Sequence, residues 1–313
     1  MIKEIFSRLL FLLLRLISLF PFFILDAVGY LIYFLLNTII RYREKVIMKN
    51  LKNSFAEKHE SDLRDIKKKF YSYFSRLIVE NIKMVNFSLN RLGKHIKTEN
   101  PEILTEYYKQ GKDIAVMAAH YGNWEWLLGL RKDIPHHTIA IYKSLNNKYF
   151  NDLFKDHRSR FGTELVNMRE VPRVLLEHAE NKRRTLTVFI ADQSPVWEEI
   201  QYWTKFLKQD TPVYLGPEKL ARKMKMAMVY FRVKVEKNHH YSVEIIPICD
   251  DASKTEEYKI TERYFELLEE DISNAPEFWL WSHRRWKLTE KRNRLEKQGI
   301  FRFEGQMRKK TSC

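Results

Sequence analysis

The chain reads as an α/β protein: a mixed, mostly parallel sheet flanked by helices, preceded by an apolar, membrane-anchoring helical segment. Three observations predict this. From about residue 113, short apolar runs alternate with stretches of helical period. Residues 41–91 keep a 3.6-residue apolar spacing. The first forty residues are dominated by Leu, Ile and Phe.

The anchor comes first. "IFSRLLFLLLRLISLFPFFILDAVGYLIYFLLNTII" is broken by Arg8, Arg15 and Asp26, and its longest uncharged run is Ala27 to Ile40. That run falls short of the roughly 20 residues of a simple span. A cleaved signal would show a small-residue cleavage pattern, which is missing. The expectation is a retained anchor over 1–40, either a tilted span or helices lying in the interface; a buried helix pair is the plainer alternative. "RYREKVIMKNLK" follows, and its Arg and Lys favour the cytoplasmic side and anionic headgroups.

Residues 41–95 read as helical. Leu63, Ile66, Phe70, Phe74, Leu77, Ile78 and Ile82 share one helix face, and Ser61 suits an N-cap. Residues 96–287 read as α/β. The runs 114–119, 138–142, 185–192, 227–235 and 241–248 predict strands, and 124–131, 147–160, 170–181, 215–224 and 256–273 predict helices. "EKNHH" between the last two strands predicts a hairpin. The basic tail, 288–313, is poor in apolar residues and is expected to fray.

Composition narrows the function. The 313 residues are 45% hydrophobic and carry a net charge of +15. That is enough apolar content for a core, with a charge suited to nucleic acid, anionic lipid or an acidic carrier. No nucleic-acid motif is present, and the basic residues are spread along the chain. Cys249 and Cys313 have neither disulfide nor metal-ligand spacing. The pairs His136–His137 and His239–His240 show no carboxylate at ligand spacing. No metal and no cofactor are expected.

The chemistry concentrates in "HYGNWEW", 120–126, directly after the strand at 114–119. Ligands of open α/β sheets bind beyond the carboxyl ends of strands. Gly122 permits a tight turn and Asn123 suits a helix N-cap. Glu125, in the first turn, could reach back to one nitrogen of His120 and raise the basicity of the other. The pair would then act as a general base on a substrate hydroxyl. The plainer reading is a capping segment with a carboxylate placed to suit the helix dipole.

"AAHYGNWEW", behind an apolar anchor, resembles the bacterial lipid A (lauroyl/myristoyl-type) acyltransferase family, of the glycerophospholipid acyltransferase-like fold. Its His-x4-Asp/Glu motif falls on His120 and Glu125. Further blocks follow in order: "RYREKVIMKNLKNSF" (41–55), "IYKSLNNKYF…HRSRFGTELV" (141–166), "FIADQSP" (189–195), "FLKQDTPVYLGPEKLARK" (206–223) and "EFWLWSHRRWK" (277–287). Tyr142, Lys143 and Ser144 stand where many relatives carry Tyr-Arg-Pro, which bears on substrate preference.

The resemblance implies a membrane-associated O-acyltransferase. It would move a fatty acyl group from acyl carrier protein, or coenzyme A, to a hydroxyl of a phosphorylated glycolipid at the cytoplasmic face of the inner membrane. It implies His120 as base and Glu125 as its orienter, with no covalent intermediate. Arg158, or its rival Arg160, is the candidate cation for the thioester oxyanion. Asp192, Gln193 and Asn123 complete the substrate site. His283, Arg284, Arg285 and Lys287 would read phosphate or headgroup. Other acceptors, such as a lysophospholipid, an amino-acid lipid or another glycolipid, stay open. A silent membrane scaffold is a distant alternative.

Overall fold

The computed structural model describes residues 2–142, 151, 155, 156 and 158–298, the side chains of 2–6 excepted. Among the described residues, nine strands fall into two sheets. The larger has seven: β1 (Ile96–Thr98), β2 (Ile114–Ala118), β3 (His137–Tyr142), β4 (Glu164–Asn167), β5 (Thr185–Ile190), β8 (Ala227–Val235) and β9 (Tyr241–Cys249). Their order is β1-β9-β8-β2-β5-β3-β4. Only β8 and β9 pair antiparallel, as the hairpin across "EKNHH" requires; every other pair is parallel. The mixed sheet is therefore as expected. β2 at its centre is buried at all five positions, which suits a parallel strand covered on both faces.

The N-terminal part is helical. α1 (Ile2–Ile17) and α2 (Phe22–Phe34) lead through a π-helical turn to α3 (Glu44–Ser54), α4 (Glu60–Met84) and the short α5 (Leu89–Leu92). The described helix from Phe22 to Ile39 is long and apolar enough to cross a membrane. One narrow stripe of it, Leu25 and Gly29, is buried. Gly29 is the point of closest approach: a Cβ there would sit 3.3 Å from a Val79 methyl of α4. The other faces stay open, with Phe23 73% and Leu31 57% exposed. The α1–α2 turn is pinned by Lys83, which donates to the carbonyls of Ser18 (3.0 Å) and Phe20 (2.5 Å).

The remaining helices are α6 (Glu102–Lys109), α7 (Val171–Glu180), α8 (Gly216–Met224), α9 (Lys259–Asn274) and α10 (Lys287–Lys297). Residues 124–133 form 3₁₀ turns rather than the expected α-helix. The expected helix 147–160 lies largely outside the described residues, as do Lys143 and Ser144. The expectation that the tail frays from Leu288 is corrected for 288–298; the rest of it, 299–313, lies outside the described residues. α10 docks there, burying Leu288 and Arg292, and Arg292 pairs with Asp210 at 2.7 Å.

The second sheet is a hairpin of β6 (Tyr202–Phe206) and β7 (Gln209–Val213), which the sequence pattern did not show. Its turn residues, Leu207 and Lys208, both have positive φ (48° and 62°). Such turns ordinarily announce themselves by Asn or Gly.

Candidate active site

His120 is reached two residues beyond the last residue of β2, and Asp192 two beyond the last of β5. The two strands are parallel neighbours with Ala118 opposite Ile190. Equal offsets from a common register bring the two side chains together. His120 Nδ1 and Asp192 Oδ1 are 2.7 Å apart, and the His120 backbone N–H donates to Oδ2 at 3.1 Å. Trp279 Nε1 donates to the same Oδ2 at 2.9 Å. Asp192 is buried and accepts three hydrogen bonds. Burial opposes its ionisation. The facing imidazole and these donors outweigh that and hold its pKa below the ordinary 3.8. Burial likewise opposes the imidazolium, but the Asp192 charge prevails and raises His120 above 6.5.

The loop carrying His120 is stitched to the segment carrying Trp279. Gly122 N–H donates to Phe278 O (3.1 Å), and Leu280 N–H to His120 O (3.1 Å). Gly122 has φ +63°, and a Cβ there would fall 2.5 Å from a Val233 methyl. Only glycine fits both demands. Trp124 stands edge-on to the His120 ring at 4.8 Å.

Glu125 does not contact His120 by hydrogen bond. Its two oxygens take Nε and Nη2 of Arg158, the first at 2.9 Å. The expected His120–Glu125 dyad is thus corrected: the partner of the imidazole is Asp192, and Glu125 reaches His120 only through its field. The reason is geometric. Asp192 comes in on the neighbouring strand, while the 3₁₀ turn directs Glu125 toward Arg158.

His120, Trp124, Glu125, Arg158 and Gln193 line one cavity of about 910 Å³. Leu127, Leu128, Ile141, Val188, Ile190 and Leu220 give it apolar walls. Arg131, Lys155, Lys219 and Lys223 add basic groups around it. Gln193 Nε2 lies 3.1 Å from His120 Nε2. With Nδ1–H donated to Asp192, Nε2 is the acceptor and the free base.

Other predicted residues fall elsewhere. Asn123 is fully buried. Its Oδ1 caps Trp126 N–H at 3.3 Å and its Nδ2 donates to Glu80 at 2.9 Å, and it is not among the residues that line the cavity. Arg160 donates to Met84 O and is not among the residues that line the cavity; Arg158 lines it. The block "HRRWK" is divided. Arg285 is buried, donates to Pro212 O at 2.9 Å, and has its pKa lowered by burial to about 10. His283 is half-buried and accepts from Ser194 N–H at 3.3 Å. Burial pushes its pKa down to about 4, leaving it neutral. Neither can serve as an exposed phosphate ligand; Arg284 and Lys287 stay exposed. Trp279 was missed as a site residue, although "EFWLWSHRRWK" had been singled out. Lys219 and Lys223 were missed too, although "GPEKLARK" carries them.

The profile of the family described as bacterial lipid A biosynthesis acyltransferase matches residues 2–288, nearly the whole chain. The chain belongs to that family. No match to a curated protein is found. The chain is therefore an acyltransferase of lipid A biosynthesis, using an acyl donor and a glycolipid acceptor. Among the described residues of this lipid A acyltransferase, one set of side chains converges as a metal would require: His137, Glu164 and His178, none of which lines the cavity.

Proposed function

We propose that the protein transfers a fatty acyl chain directly from a thioester, on acyl carrier protein or coenzyme A, to a hydroxyl of a lipid A precursor, with His120 as general base. One observation carries this reading: an imidazole whose Nδ1 is held by a buried carboxylate and whose Nε2 stands at an apolar cavity. The acceptor hydroxyl takes the place of the Gln193 amide at Nε2. Its oxygen attacks the thioester carbonyl while Nε2 takes its proton. The tetrahedral oxyanion collapses, the C–S bond breaks, and the thiolate takes the proton back from the imidazolium. Asp192 keeps Nδ1–H in place and stabilises the imidazolium as it forms.

The apolar walls suit an acyl chain. Burying ten methylenes contributes on the order of 8 kcal/mol before ordering costs. The Glu125–Arg158 pair forms a charged wall of the same cavity, and the Arg158 guanidinium, held by the carboxylate of the motif, is the cation assigned to the developing oxyanion. The basic groups around the cavity suit a phosphorylated donor and acceptor alike.

The site is proposed to work at the cytoplasmic face of the inner membrane, with α1 and α2 lying in the interface. Asp26 of α2 pairs with His239 at 3.1 Å, and α2 packs along α4. A spanning α2 would draw those polar partners into hydrocarbon, which is costly; an interfacial α2 leaves its exposed apolar faces to the lipid.

The test is turnover by detergent-solubilised enzyme with acylated carrier protein and acyl-CoA in parallel, lipid A precursor as acceptor, and mass spectrometry of the product. An added acyl chain with wild-type enzyme and none with His120→Ala is expected. Unchanged transfer in His120→Ala would overturn the mechanism. A deletion strain whose lipid A keeps every acyl chain would overturn the acceptor.

A further inference from the structure

At the end of the sheet opposite His120, three side chains from three elements meet. His137 is the first residue of β3, Glu164 the first of the edge strand β4, and His178 lies in the last turn of α7. His120 lies past the carboxyl end of β2, and β2, β5, β3 and β4 all run parallel. The cluster therefore sits at the amino ends of β3 and β4; none of its three side chains lines the acyl-transfer cavity, although the neighbouring Thr138, Thr163 and Leu165 do. Both Nε2 atoms point at one oxygen: His137 at 2.6 Å and His178 at 2.8 Å from Glu164 Oε2.

We infer that His137, Glu164 and His178 form a binding site for a divalent transition-metal ion of the zinc class. Two imidazole nitrogens and one carboxylate oxygen are a ligand set that binds zinc with a remaining position for water. The three ligand atoms lie within 4.8 Å of one another. Tetrahedral coordination at about 2.0–2.1 Å separates ligand atoms by roughly 3.3 Å. The two nitrogen–oxygen contacts, at 2.6 and 2.8 Å, would therefore open by roughly 0.7 and 0.5 Å, within reach of a side-chain rotation. The site is partly exposed, so an ion can enter and keep a water.

In the metal-free cluster each Nε2 offers its proton to Glu164 Oε2; binding an ion there moves that proton to Nδ1 or to solvent and leaves the Nε2 lone pair for the metal. The C-terminal turn of α7 adds the negative end of a helix dipole, which favours a cation. Arg183 opposes it, its charge being close enough to act on His137. Nitrogen ligands favour zinc over magnesium or calcium, which prefer all-oxygen shells. A bound ion would clamp β3, the edge strand β4 and α7 together at a margin where β4 has only one strand neighbour.

The experiment uses the full chain in detergent, free of any polyhistidine tag, stripped with chelator and titrated with Zn²⁺ against a chromogenic chelator. One equivalent held per chain is expected, with no comparable retention of Mg²⁺. Co²⁺ in its place should give the intense visible absorption of tetrahedral coordination. His178→Gln and Glu164→Gln should each weaken Zn²⁺ retention at least tenfold and lose the Co²⁺ band. Both retain polar groups that can replace part of the cluster's hydrogen bonding, and the apo melting temperature checks that they fold. Wild-type protein that holds no stoichiometric Zn²⁺ overturns the site outright, whatever the variants do. Equal retention in folded variants overturns the ligand assignment.

Discussion

Asp192→Asn removes one charge and almost no volume, and its effect follows from who donates to whom. Oδ1 of Asp192 receives Nδ1–H of His120; Oδ2 receives two donors, His120 N–H and Trp279 Nε1–H. Asparagine has one oxygen and one NH₂. Placing the NH₂ at Oδ2 sets it against two donors. Placing it at Oδ1 sets it against one, and that conflict is relieved if the imidazole moves its proton to Nε2. The second arrangement is favoured by about one buried hydrogen bond, on the order of 1–3 kcal/mol. It also leaves the wrong tautomer, because Nε2 then has no lone pair for the acceptor hydroxyl. Tautomer inversion of this kind in a His–Asp pair costs roughly 10⁴ in kcat, or about 5.5 kcal/mol of barrier. The assay is single-turnover acyl transfer across pH. In wild type, His120 must be neutral to act, and its pKa is raised, so activity should fall away on the acid side with a midpoint above 6.5. In Asp192→Asn that limb should move to lower pH, since the raising charge is gone. A variant within tenfold of wild type, or an acid limb that stays in place, would refute the assignment of Asp192 as the orienting group.

Glu125→Gln and Arg158→Gln should each slow transfer by roughly 10–10²; Glu125→Gln should move the acid limb to lower pH, by less than Asp192→Asn, because the Glu125 charge is the lesser of the two that raise His120; the double variant should be little slower than either single, because both remove one shared pair. Gly122→Ala should lower stability by about 2–4 kcal/mol, from a φ of +63° that alanine resists and a 2.5 Å clash with Val233, read from thermal or denaturant unfolding. Phe23→Asp combined with Leu31→Asp should release protein from anionic liposomes without lowering its melting temperature, since both side chains are exposed. The His120–Asp192 pair should stabilise the fold most between about pH 3.8 and 6.5. The raised histidine loses its contribution as pH climbs through its folded value, and the lowered aspartate loses its own as pH falls through its folded value. A difference in melting temperature between wild type and Asp192→Asn that grows toward alkaline pH would contradict this.

Much of the sheet was legible because its central strands are continuous apolar runs, and the "EKNHH" hairpin showed itself by spacing. β4 was not legible, being four residues long with Glu164 and Asn167 at its ends. Nor was β6–β7, whose turn uses Leu207 and Lys208 in left-handed geometry. His120 stood out in the sequence because a polar motif follows a buried strand. Its partner did not, because pairing depends on register: Glu125 is five residues away in sequence but turned toward Arg158, whereas Asp192 is 72 residues away and directly adjacent in space. His137 misled for the same reason. Its carboxylate, Glu164, comes from the neighbouring strand and has no local spacing to reveal it. The charged "HRRWK" suggested a surface. Yet Arg285 is drawn inside by Pro212 O and by the Phe265 ring, 5.7 Å from its guanidinium.

One buried carboxylate relates the apolar N-terminal helices to the loop that carries His120. Glu80 of α4 is wholly excluded from solvent. Its Oε2 accepts from Asn123 Nδ2 (2.9 Å) and the Tyr241 hydroxyl (2.5 Å); its Oε1 meets His239 Nδ1 at 2.9 Å, and Arg76 lies at 3.4 Å. His239, whose burial disfavours the charged ring, is nonetheless raised above 6.5 by Glu80 and by Asp26 of α2. A buried carboxylate without such partners would be strongly destabilising, so these contacts hold one another in place. Asn123, three residues from His120, is thus fastened to the same group that fastens α2. The residue that resembled a substrate ligand in sequence is a tie between the helix with the exposed apolar faces and the turn that carries His120. An acyltransferase whose acceptor lies in a bilayer needs that relation fixed, because an ångström of drift at Nε2 costs far more in rate than it does in stability.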